Sequence, residues 1–341
     1  MLLLETLMHP VLKAQTDFIL LDVRSPGEYC RGHIPGAISF PLFTDEERAK
    51  VGTLYKQTGK DAAVLEGLRI VGPKMAGFVE EAARLSPNRK VKLHCWRGGM
   101  RSSSVAWLLQ HAGFETQVIK GGYKAYRTDV QQFLCKPFPF KVITGPTGSR
   151  KTKILHALRD AGEQVIDLEG LANHKGSAFG SLGMESQPSI EHFENLLHQQ
   201  LLVMDFNRTI WIEDESRKIG KIVLLEAFWK QIKSVPVVLV KLSVEERVKF
   251  LVEEYGNFST EELRGSILKI AKRLGGQNLN AALEALETGN LSEVAAISLH
   301  YYDKAYRHAL ETRHAQIEYQ LVIDGLSHQQ IAEKIIQLNE L

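Results

Sequence analysis

Cysteine is scarce in this sequence: only three occur among 341 residues, at positions 30, 95 and 135. An odd and small number of cysteines in a long chain argues against a disulfide framework and fits a reducing cytoplasm. Long apolar runs are missing too, because no stretch approaches the roughly 20 residues that span a bilayer. The apolar start of the chain is soon interrupted by Glu5 and lacks the basic region of a signal peptide. We therefore expect a cytoplasmic protein without a membrane segment.

The chain also lacks a strong excess of charge of either sign. Its 42 Lys and Arg residues nearly balance 40 Asp and Glu residues, which leaves a net charge of +2. This value is too small to indicate nucleic-acid binding by itself, so a local basic patch would have to provide that argument. The length allows two domains, each with its own core, and no internal repeat is present.

Short β-like runs alternate with helical periodicity along the first part of the chain. We predict strands at 18–23, 91–94 and 115–119 and helices at 73–85 and 103–111, a pattern typical of a parallel α/β sheet. Prolines in 136–139 mark a joint, a second α/β segment starts at 140–144, and the pattern after Val244 is almost wholly helical. The expected regions are 1–135, 136–243 and a mainly helical 244–341 packed on the second region.

A loop that begins at Cys95 joins a predicted strand to a predicted helix. The first N–H groups of a helix are unpaired and carry partial positive charge, and Arg97 and Arg101 add two full charges. We expect this field to lower the pKa of the thiol and to make Cys95 a nucleophile. Cys95, Arg97 and Arg101 are therefore the candidate catalytic residues. Cys30 and Cys135 are expected to pack as small side chains.

Several motifs give the first region a resemblance to the rhodanese family over about 5–130. They are Asp22-Val23-Arg24-Ser25-Pro26-Gly27-Glu28-Tyr29, Gly32-His33-Ile34-Pro35-Gly36-Ala37, Arg101-Ser102, Gly113-Phe114 and Gly121-Gly122-Tyr123. The resemblance implies that Cys95 carries sulfur or selenium while the loop amides surround an anion. Five residues separate Cys95 from Arg101, one more than in the usual sulfurtransferase loop, which favours a larger, phosphate-bearing donor. The same spacing matches cysteine phosphatases, so a phosphatase or an arsenate-reductase-like enzyme is an alternative.

The segment 145–152 resembles a P-loop, in which backbone amides wrap phosphates and a lysine reaches the terminal ones. Where the P-loop pattern has glycine before its lysine, this chain has Arg150. A side chain there predicts an unfavourable backbone dihedral and argues against tight ATP binding, although Arg150 could itself hold a phosphate oxygen. We predict a phosphate or diphosphate site formed by Gly145, Thr147, Gly148, Ser149, Arg150, Lys151 and Thr152.

Acidic residues follow two other predicted strands of this region. Glu213 and Asp214 end an apolar run that resembles a Walker B strand, and Asp167 and Glu169 follow another strand. These four are candidates for binding Mg²⁺ or for acid–base chemistry. The alternative is that they cap helices at the ends of the strands. The sequence does not identify a metal.

Three long motifs, at 94–102, 167–174 and 213–220, make the whole chain similar to the bacterial tRNA 2-selenouridine synthases. That resemblance implies a transferase that replaces the sulfur of a wobble 2-thiouridine with selenium from selenophosphate. It also implies that geranyl diphosphate first alkylates this sulfur, that Cys95 accepts selenium as a perselenide or positions selenide, and that the P-loop binds the diphosphate. Mg²⁺ is a candidate cofactor, and an enzyme that supplies selenophosphate is a candidate partner.

The tRNA would need a basic surface and aromatic side chains for an unpaired base. The candidate contacts are Lys120, Lys124, Arg127, Arg217 and Lys218, with Trp96, Tyr123 or Tyr126 as stacking residues. Two further alternatives are a sulfurtransferase with a degenerate nucleotide-binding module and a non-catalytic RNA-binding protein. The oligomeric state does not follow from the sequence.

Overall fold

The computed structural model describes residues 17–311 and 316–339. Within these, the chain divides into two compact units. The first unit comprises 17–133 and Glu194–Leu202, and the second comprises Leu134–Phe193 together with 203–311 and 316–339. The beginning of the first predicted region, 1–16, lies outside the described residues. The segment Glu194–Leu202 therefore packs with the first unit, although the residues before and after it in the sequence belong to the second. A single boundary along the sequence cannot describe this division.

The first unit is built on a parallel sheet whose strand order is β2-β1-β3-β4. The strands are β1 (Ile19–Asp22), β2 (Ile38–Ser39), β3 (Lys90–His94) and β4 (Glu115–Val118). The helices are α1 (Pro26–Arg31), α2 (Asp45–Gln57), α3 (Lys60–Val71), α4 (Met75–Leu85), α5 (Met100–His111) and α6 (Gly122–Leu134), with a 3₁₀ turn at Gly72–Lys74. Four of the five residues of β3 are buried, including the polar Lys92 and His94, although its sequence alternates between polar and apolar residues.

The second unit contains a five-stranded parallel sheet of order β11-β10-β5-β7-β6. Its strands are β5 (Phe140–Thr144), β6 (Gln164–Ile166), β7 (Ile210–Glu213), β10 (Val237–Lys241) and β11 (Ile317–Val322), and β8 (Lys218–Ile219) with β9 (Ile222–Val223) forms a separate antiparallel hairpin. The predicted α/β architecture with a parallel sheet in each unit is confirmed. Strand β5 is central, so the loop that follows it opens at the carboxyl edge, where parallel sheets bind ligands.

The helices from residue 151 onward belong to the second unit, except that most of α9 packs with the first unit. They are α7 (Lys151–Asp160), α8 (Leu168–Ala172), α9 (Ile190–Leu202), α10 (Glu226–Ser234), α11 (Val244–Tyr255), α12 (Thr260–Lys269), α13 (Ala271–Leu274), α14 (Gly276–Glu287), α15 (Leu291–Glu311) and α16 (His328–Asn339). One core joins the sheet to α7 and α16, and a second core joins α12, α14 and α15.

The interpretation of everything after Val244 as almost wholly helical misses strand β11. This strand lies at the sheet edge and pairs only with β10, whose residues are about 80 positions earlier. Its side chains alternate between half-buried and exposed. A long-range parallel partner fixes this strand, and the local sequence does not reveal that partner.

None of the helices in the described part of the chain combines the length and the apolar character needed to cross a membrane.

Candidate functional site

The Cys95 loop follows β3 and leads directly into helix α5, whose first residue is Met100. The backbone of helix α6 holds it from the other side: Tyr123 N–H donates to Cys95 O at 2.9 Å, and Lys124 N–H donates to Trp96 O at 2.8 Å. Both helix N-termini therefore adjoin one loop. The first amides of α6 are used to hold the loop, whereas those at the start of α5 face the thiol and suit an anion.

Two glycines allow this close backbone packing. Gly98 and Gly122 have φ values of +63° and +58°. A Cβ on Gly122 would lie 2.3 Å from Cys95 O, and one on Gly98 would lie 2.3 Å from Ile119 O. A side chain at either position would force the loop apart, so Gly122 of the rhodanese-like motif has a steric reason, and Gly98 has the same one.

The Cys95 thiol is buried, with 4% of its surface exposed. Its Sγ accepts a hydrogen bond from Gly99 N–H at 3.3 Å and lies 3.3 Å from the Ser102 hydroxyl, which donates to it. Burial raises the pKa of Cys95, but the Ser102 hydroxyl and the N–H groups of Ser102, Arg97 and Gly99 outweigh burial, so the pKa is lowered. The thiolate is the form that these donors stabilise.

Arg101 does not act on the thiol as the sequence suggests. Its guanidinium forms an ion pair with Glu28, with Nη1 to Oε2 at 2.6 Å. Burial raises the pKa of Glu28, but Arg101 and the Ser25 N–H outweigh that effect and lower it. Arg97 contributes its N–H to Cys95 and is exposed. Hydrogen bonds, rather than the two arginine charges, are thus the main cause of the lowered thiol pKa. Glu28 is a site residue that the sequence reasoning missed, although it lies in the rhodanese-like motif.

The P-loop segment connects β5 to α7, and Arg150 has φ +62° and ψ +24° at its end. This is the left-handed conformation that glycine adopts freely and other residues adopt at a cost of about 1 kcal/mol. The predicted unfavourable dihedral is therefore confirmed. The Arg150 guanidinium lies 3.2 Å from Glu246 Oε2 and 5.7 Å from the centre of the Phe250 ring.

The remaining P-loop side chains surround a cavity of ≈490 Å³. Lys151 Nζ donates to Gly145 O at 3.0 Å, and Thr152 Oγ1 donates to Glu169 Oε2 at 2.8 Å. Ser149 Oγ is buried and finds no partner among the described residues. All seven predicted residues, Gly145, Thr147, Gly148, Ser149, Arg150, Lys151 and Thr152, line this cavity.

Three glutamates form a carboxyl cluster beside the loop: Glu213 and Glu215 are buried and Glu169 is half-buried. Glu213 Oε1 accepts from Glu169 N–H at 2.8 Å, and Glu169 shares a side-chain hydrogen bond with Glu215. Burial, reinforced by neighbouring carboxylates, raises the pKa of all three; that of Glu215 rises to about 8. Gly176, at φ +65°, permits the cluster, since a Cβ there would lie 2.8 Å from Glu169 Oε1. Glu215 was not among the predicted site residues, although it lies in the same acidic motif.

The other two predicted acids have structural partners. Asp167 caps helix α8 by accepting from Gly170 N–H, and its Oδ2 lies 2.7 Å from His156 Nε2. Asp214 accepts from Lys233 Nζ at 2.5 Å and from Thr144 Oγ1 at 2.7 Å. The capping role considered for these acids therefore holds for Asp167. Within 17–311 and 316–339, no group of three or more His, Cys, Asp or Glu side chains has metal-binding geometry.

The predicted tRNA-contact residues differ in their exposure and in their protein partners. Lys120, Lys124, Arg217 and Lys218 are exposed, whereas Arg127 forms an ion pair with Glu194 and donates to Asn195 Oδ1 at 2.6 Å. Among the three aromatic candidates, Tyr123 and Tyr126 are fully buried and cannot stack on a base, while Trp96 is 37% exposed. Cys30 and Cys135 are exposed, so the expectation that they pack as small residues is wrong.

Two family models match this chain. The rhodanese-like domain matches residues 8–129, and the AAA domain of tRNA 2-selenouridine synthase matches residues 138–334. The second match covers more than half of the chain. It begins just before strand β5 and includes the P-loop and the carboxyl cluster.

Curated relatives resemble the chain over most of its length. A tRNA 2-selenouridine synthase from Nitrosomonas europaea is 32% identical, covering 87% of this chain and 90% of its own. The synthases from Shewanella denitrificans and Bdellovibrio bacteriovorus are each 34% identical, covering 87% and 89% of this chain and 90% and 92% of their own. The predicted family and the prediction of an enzyme are thereby confirmed: the chain belongs to the tRNA 2-selenouridine synthases.

Proposed function

We propose that this enzyme converts 2-thiouridine at the wobble position of tRNA into 2-selenouridine in two steps, with geranyl diphosphate and selenophosphate as co-substrates. The supporting observation is the presence, in one chain, of a thiol with a lowered pKa in a rhodanese-like unit and of a phosphate loop in a second unit. Family membership supplies the tRNA substrate, since the relatives are named for it.

The first step takes place at the P-loop. The thiocarbonyl sulfur of the base attacks C1 of geranyl diphosphate, the C1–O bond breaks, diphosphate leaves, and the base loses its N3 proton. Lys151 is freed from Gly145 O to bind the diphosphate, and the amides at the start of helix α7 surround it. This use of the loop needs no ATP hydrolysis, which fits the presence of Arg150 in place of glycine.

The second step takes place at Cys95. The loop amides bind the phosphate end of selenophosphate. The Cys95 thiolate attacks phosphorus, an S–P bond forms, the P–Se bond breaks and selenide is released; water later cleaves the S–P bond and frees phosphate and the thiol. Selenide then attacks C2 of the alkylated base; the C2–Se bond forms, the C2–S bond breaks, and geranylthiol leaves. Alkylation in the first step makes that sulfur a better leaving group than a thiocarbonyl.

Mg²⁺ fits the P-loop side of the proposal. Thr152 Oγ1 and Glu169 lie 2.8 Å apart, and Mg²⁺ commonly uses one or two protein oxygens together with phosphate oxygens and waters. It would neutralise charge on the departing diphosphate. Lys120, Lys124, Arg217 and Lys218 remain the proposed tRNA contacts, and an enzyme that makes selenophosphate is the proposed partner.

The phosphatase alternative rests on the five-residue spacing between Cys95 and Arg101. The ion pair of Arg101 with Glu28 disfavours it, because in that alternative the arginine would bind phosphate. We expect no release of phosphate from a generic aryl phosphate.

The decisive experiment supplies the protein with tRNA carrying 2-thiouridine, geranyl diphosphate, Mg²⁺ and selenophosphate, and analyses the nucleosides by mass spectrometry. We expect S-geranyl-2-thiouridine when selenophosphate is omitted and 2-selenouridine when both co-substrates are present. Unchanged 2-thiouridine in every reaction would contradict the proposal, and thiol-dependent aryl phosphatase activity would favour the alternative.

A further inference from the structure

One face of helix α5, which follows the Cys95 loop in the first unit, is exposed along its whole length. The exposed residues recur at spacings of three, four and seven positions, which places them on one side of the helix. They are Met100, Ser103, Ser104, Trp107, Gln110 and His111, and together they form the α5 face. The opposite side of the helix packs inward, with Val105, Ala106 and Leu109 in the core of the unit.

Trp107 is the residue of the α5 face that packing does not explain. It is 54% exposed, and the apolar core that the described residues of the first unit form does not include it. Its ring contacts that of His111, with 4.5 Å between the ring centres, and His111 Nδ1 donates to Trp107 O at 2.9 Å. Met100, at the start of the same face, is 51% exposed. Large side chains exposed together on one face indicate a binding surface.

The charges around the α5 face favour a polyanion as its partner. The sequence of α5, Met100–His111, contains neither Asp nor Glu. Arg97 in the Cys95 loop is exposed, as are Lys120 and Lys124 on the other side of that loop. The backbone ties Lys124 to the loop, since its N–H donates to Trp96 O at 2.8 Å. These three cations therefore lie around the same loop from which the α5 face begins.

Exposed aromatic rings beside cations are typical of surfaces that bind unpaired RNA. Bases stack on the rings, while lysine and arginine side chains contact the phosphates. The Cys95 loop adds a second exposed indole, that of Trp96. An apolar protein partner would cover the rings but would need none of the three cations. The combination of rings and positive charge thus favours RNA.

We propose that the α5 face binds unpaired bases of the tRNA anticodon loop, with Trp107 as a stacking residue and Arg97, Lys120 and Lys124 as contacts to the phosphates. The inference rests on the proposed function, because it takes a tRNA with a wobble 2-thiouridine as the substrate. Trp107 lies two turns along α5 from Met100, about 10 Å at 1.5 Å per residue. It therefore stacks on a nucleotide near the reacting base and acts as a positioning residue.

Replacements of Trp107 test the stacking. Fluorescence anisotropy of labelled tRNA that carries 2-thiouridine gives the Kd of the full-length protein. Trp107→Leu keeps an apolar side chain but removes the ring, so we expect binding to weaken at least about fivefold, whereas Trp107→Phe should stay within about twofold of the wild type. Leu68→Ala truncates an exposed side chain on α3 of the same unit and should leave the Kd unchanged. Equal Kd values for the wild type and Trp107→Leu would overturn the inference.

Lys124 tests the contribution of charge. Lys124→Ala should weaken tRNA binding and lower the slope of log Kd against log salt by about one, because one phosphate contact is lost. Lys50→Ala is the matched control, since Lys50 is an exposed lysine of the same unit that pairs with Glu66, and its slope should equal that of the wild type. An unchanged slope in Lys124→Ala would contradict the inference. This measurement decides the matter if Trp107→Leu does not fold.

Kinetics and sedimentation distinguish the remaining explanations. For a positioning residue, Trp107→Leu should raise the KM for tRNA in selenium transfer and leave kcat within about twofold. A change in the mass of the protein in solution, without a change in tRNA affinity, would show that the α5 face binds a second copy of this chain and would overturn the inference.

Nucleoside analysis separates the inference from the proposed function. A tRNA affinity that depends on Trp107, without formation of S-geranyl-2-thiouridine or 2-selenouridine, would contradict the proposed function and retain the RNA surface. Formation of 2-selenouridine by the wild type, with an unaffected tRNA affinity in Trp107→Leu, would contradict the RNA surface and retain the function.

Discussion

The Cys95 loop and the P-loop use the same local architecture for different chemistry. Each follows a buried parallel strand, β3 or β5, and opens a helix whose first amides are free. In the first loop these donors and the Ser102 hydroxyl converge on a thiol and lower its pKa. In the second loop the neighbours are Lys151 and the three glutamates of the carboxyl cluster, whose pKa values are raised.

The difference shows how the surrounding side chains decide what an anion-binding loop does. Donors alone stabilise a thiolate, so the first loop favours a nucleophile. Carboxyls that keep their protons until a cation arrives, together with a lysine, favour binding of a polyanion. The left-handed position is glycine in the first loop, at Gly98, and arginine in the second, at Arg150.

Replacing the Cys95 thiol should have the largest effect and should separate the functions of the two loops. We expect Cys95→Ser to lower selenium transfer by at least about 10³-fold, because a serine hydroxyl is not ionised at neutral pH. Geranyl transfer should persist, and nucleoside mass analysis with and without selenophosphate measures both. Cys30→Ser, an exposed cysteine of the same unit, is the control and should retain both activities. Selenium transfer surviving in Cys95→Ser would show that the thiol is not required.

Removing the P-loop lysine tests the other loop. Lys151→Ala should lower geranyl transfer by about 10²-fold or more, because the departing diphosphate loses its cation. Conversion of tRNA that already carries S-geranyl-2-thiouridine should be unaffected. Arg159→Ala removes a charge from the far end of the same helix, α7, and should leave both steps intact. Unaltered geranyl transfer in Lys151→Ala would place the diphosphate elsewhere.

The carboxyl cluster should make the stability of the second unit depend on pH. The pKa of Glu215 is raised from 4.5 to about 8, so the folded protein holds a proton that the unfolded chain releases between these values. The contribution of Glu215 to the free energy of unfolding is therefore greatest below about pH 4.5. It falls as the pH rises to 8, by up to about 1.4 kcal/mol per pH unit. Melting temperatures from pH 5.5 to 8.5 should fall less steeply in Glu215→Gln.

Glu185→Gln is the control for this pH profile, since Glu185 is exposed in the same unit. Its profile should follow that of the wild type. A profile for Glu215→Gln as steep as the wild-type one would show that Glu215 does not hold the proton.

Much of this organisation follows from local sequence. The start of the second α/β segment at 140–144 and the unfavourable dihedral of Arg150 are predicted, because a β-prone run and a residue in a glycine position are local properties. The steric reason for Gly122 was not accessible, because it depends on a carbonyl 27 residues away.

The missed features all depend on distant partners. Glu28 forms its ion pair with Arg101, which is 73 positions away in the sequence. Glu169 follows β6 and Glu215 follows β7, and the two side chains meet because these strands are paired in the sheet. Tyr123 and Tyr126 were candidates for stacking on RNA but are buried, since helix α6 packs that face inward. Burial and pairing of this kind come from the fold, and a motif cannot report them.

The smallest expected effect distinguishes two roles for Arg150. Arg150→Gly removes the backbone strain of a left-handed arginine, which stabilises the folded protein. It also raises the conformational entropy of the unfolded chain and removes the contact with Glu246, which both destabilise the fold. The free energy of unfolding should therefore change by no more than about 1 kcal/mol. Because that guanidinium is engaged by Glu246, we expect pyrophosphate affinity to rise slightly, up to about threefold, as the loop wraps more closely. Arg89→Gly, at φ +56° in the first unit, is the control and should leave affinity unchanged. A tenfold loss of pyrophosphate affinity in Arg150→Gly would instead show that the arginine binds phosphate. The two loops would then differ in a further way: an arginine charge would hold the anion in the P-loop, whereas hydrogen-bond donors stabilise the thiolate in the Cys95 loop.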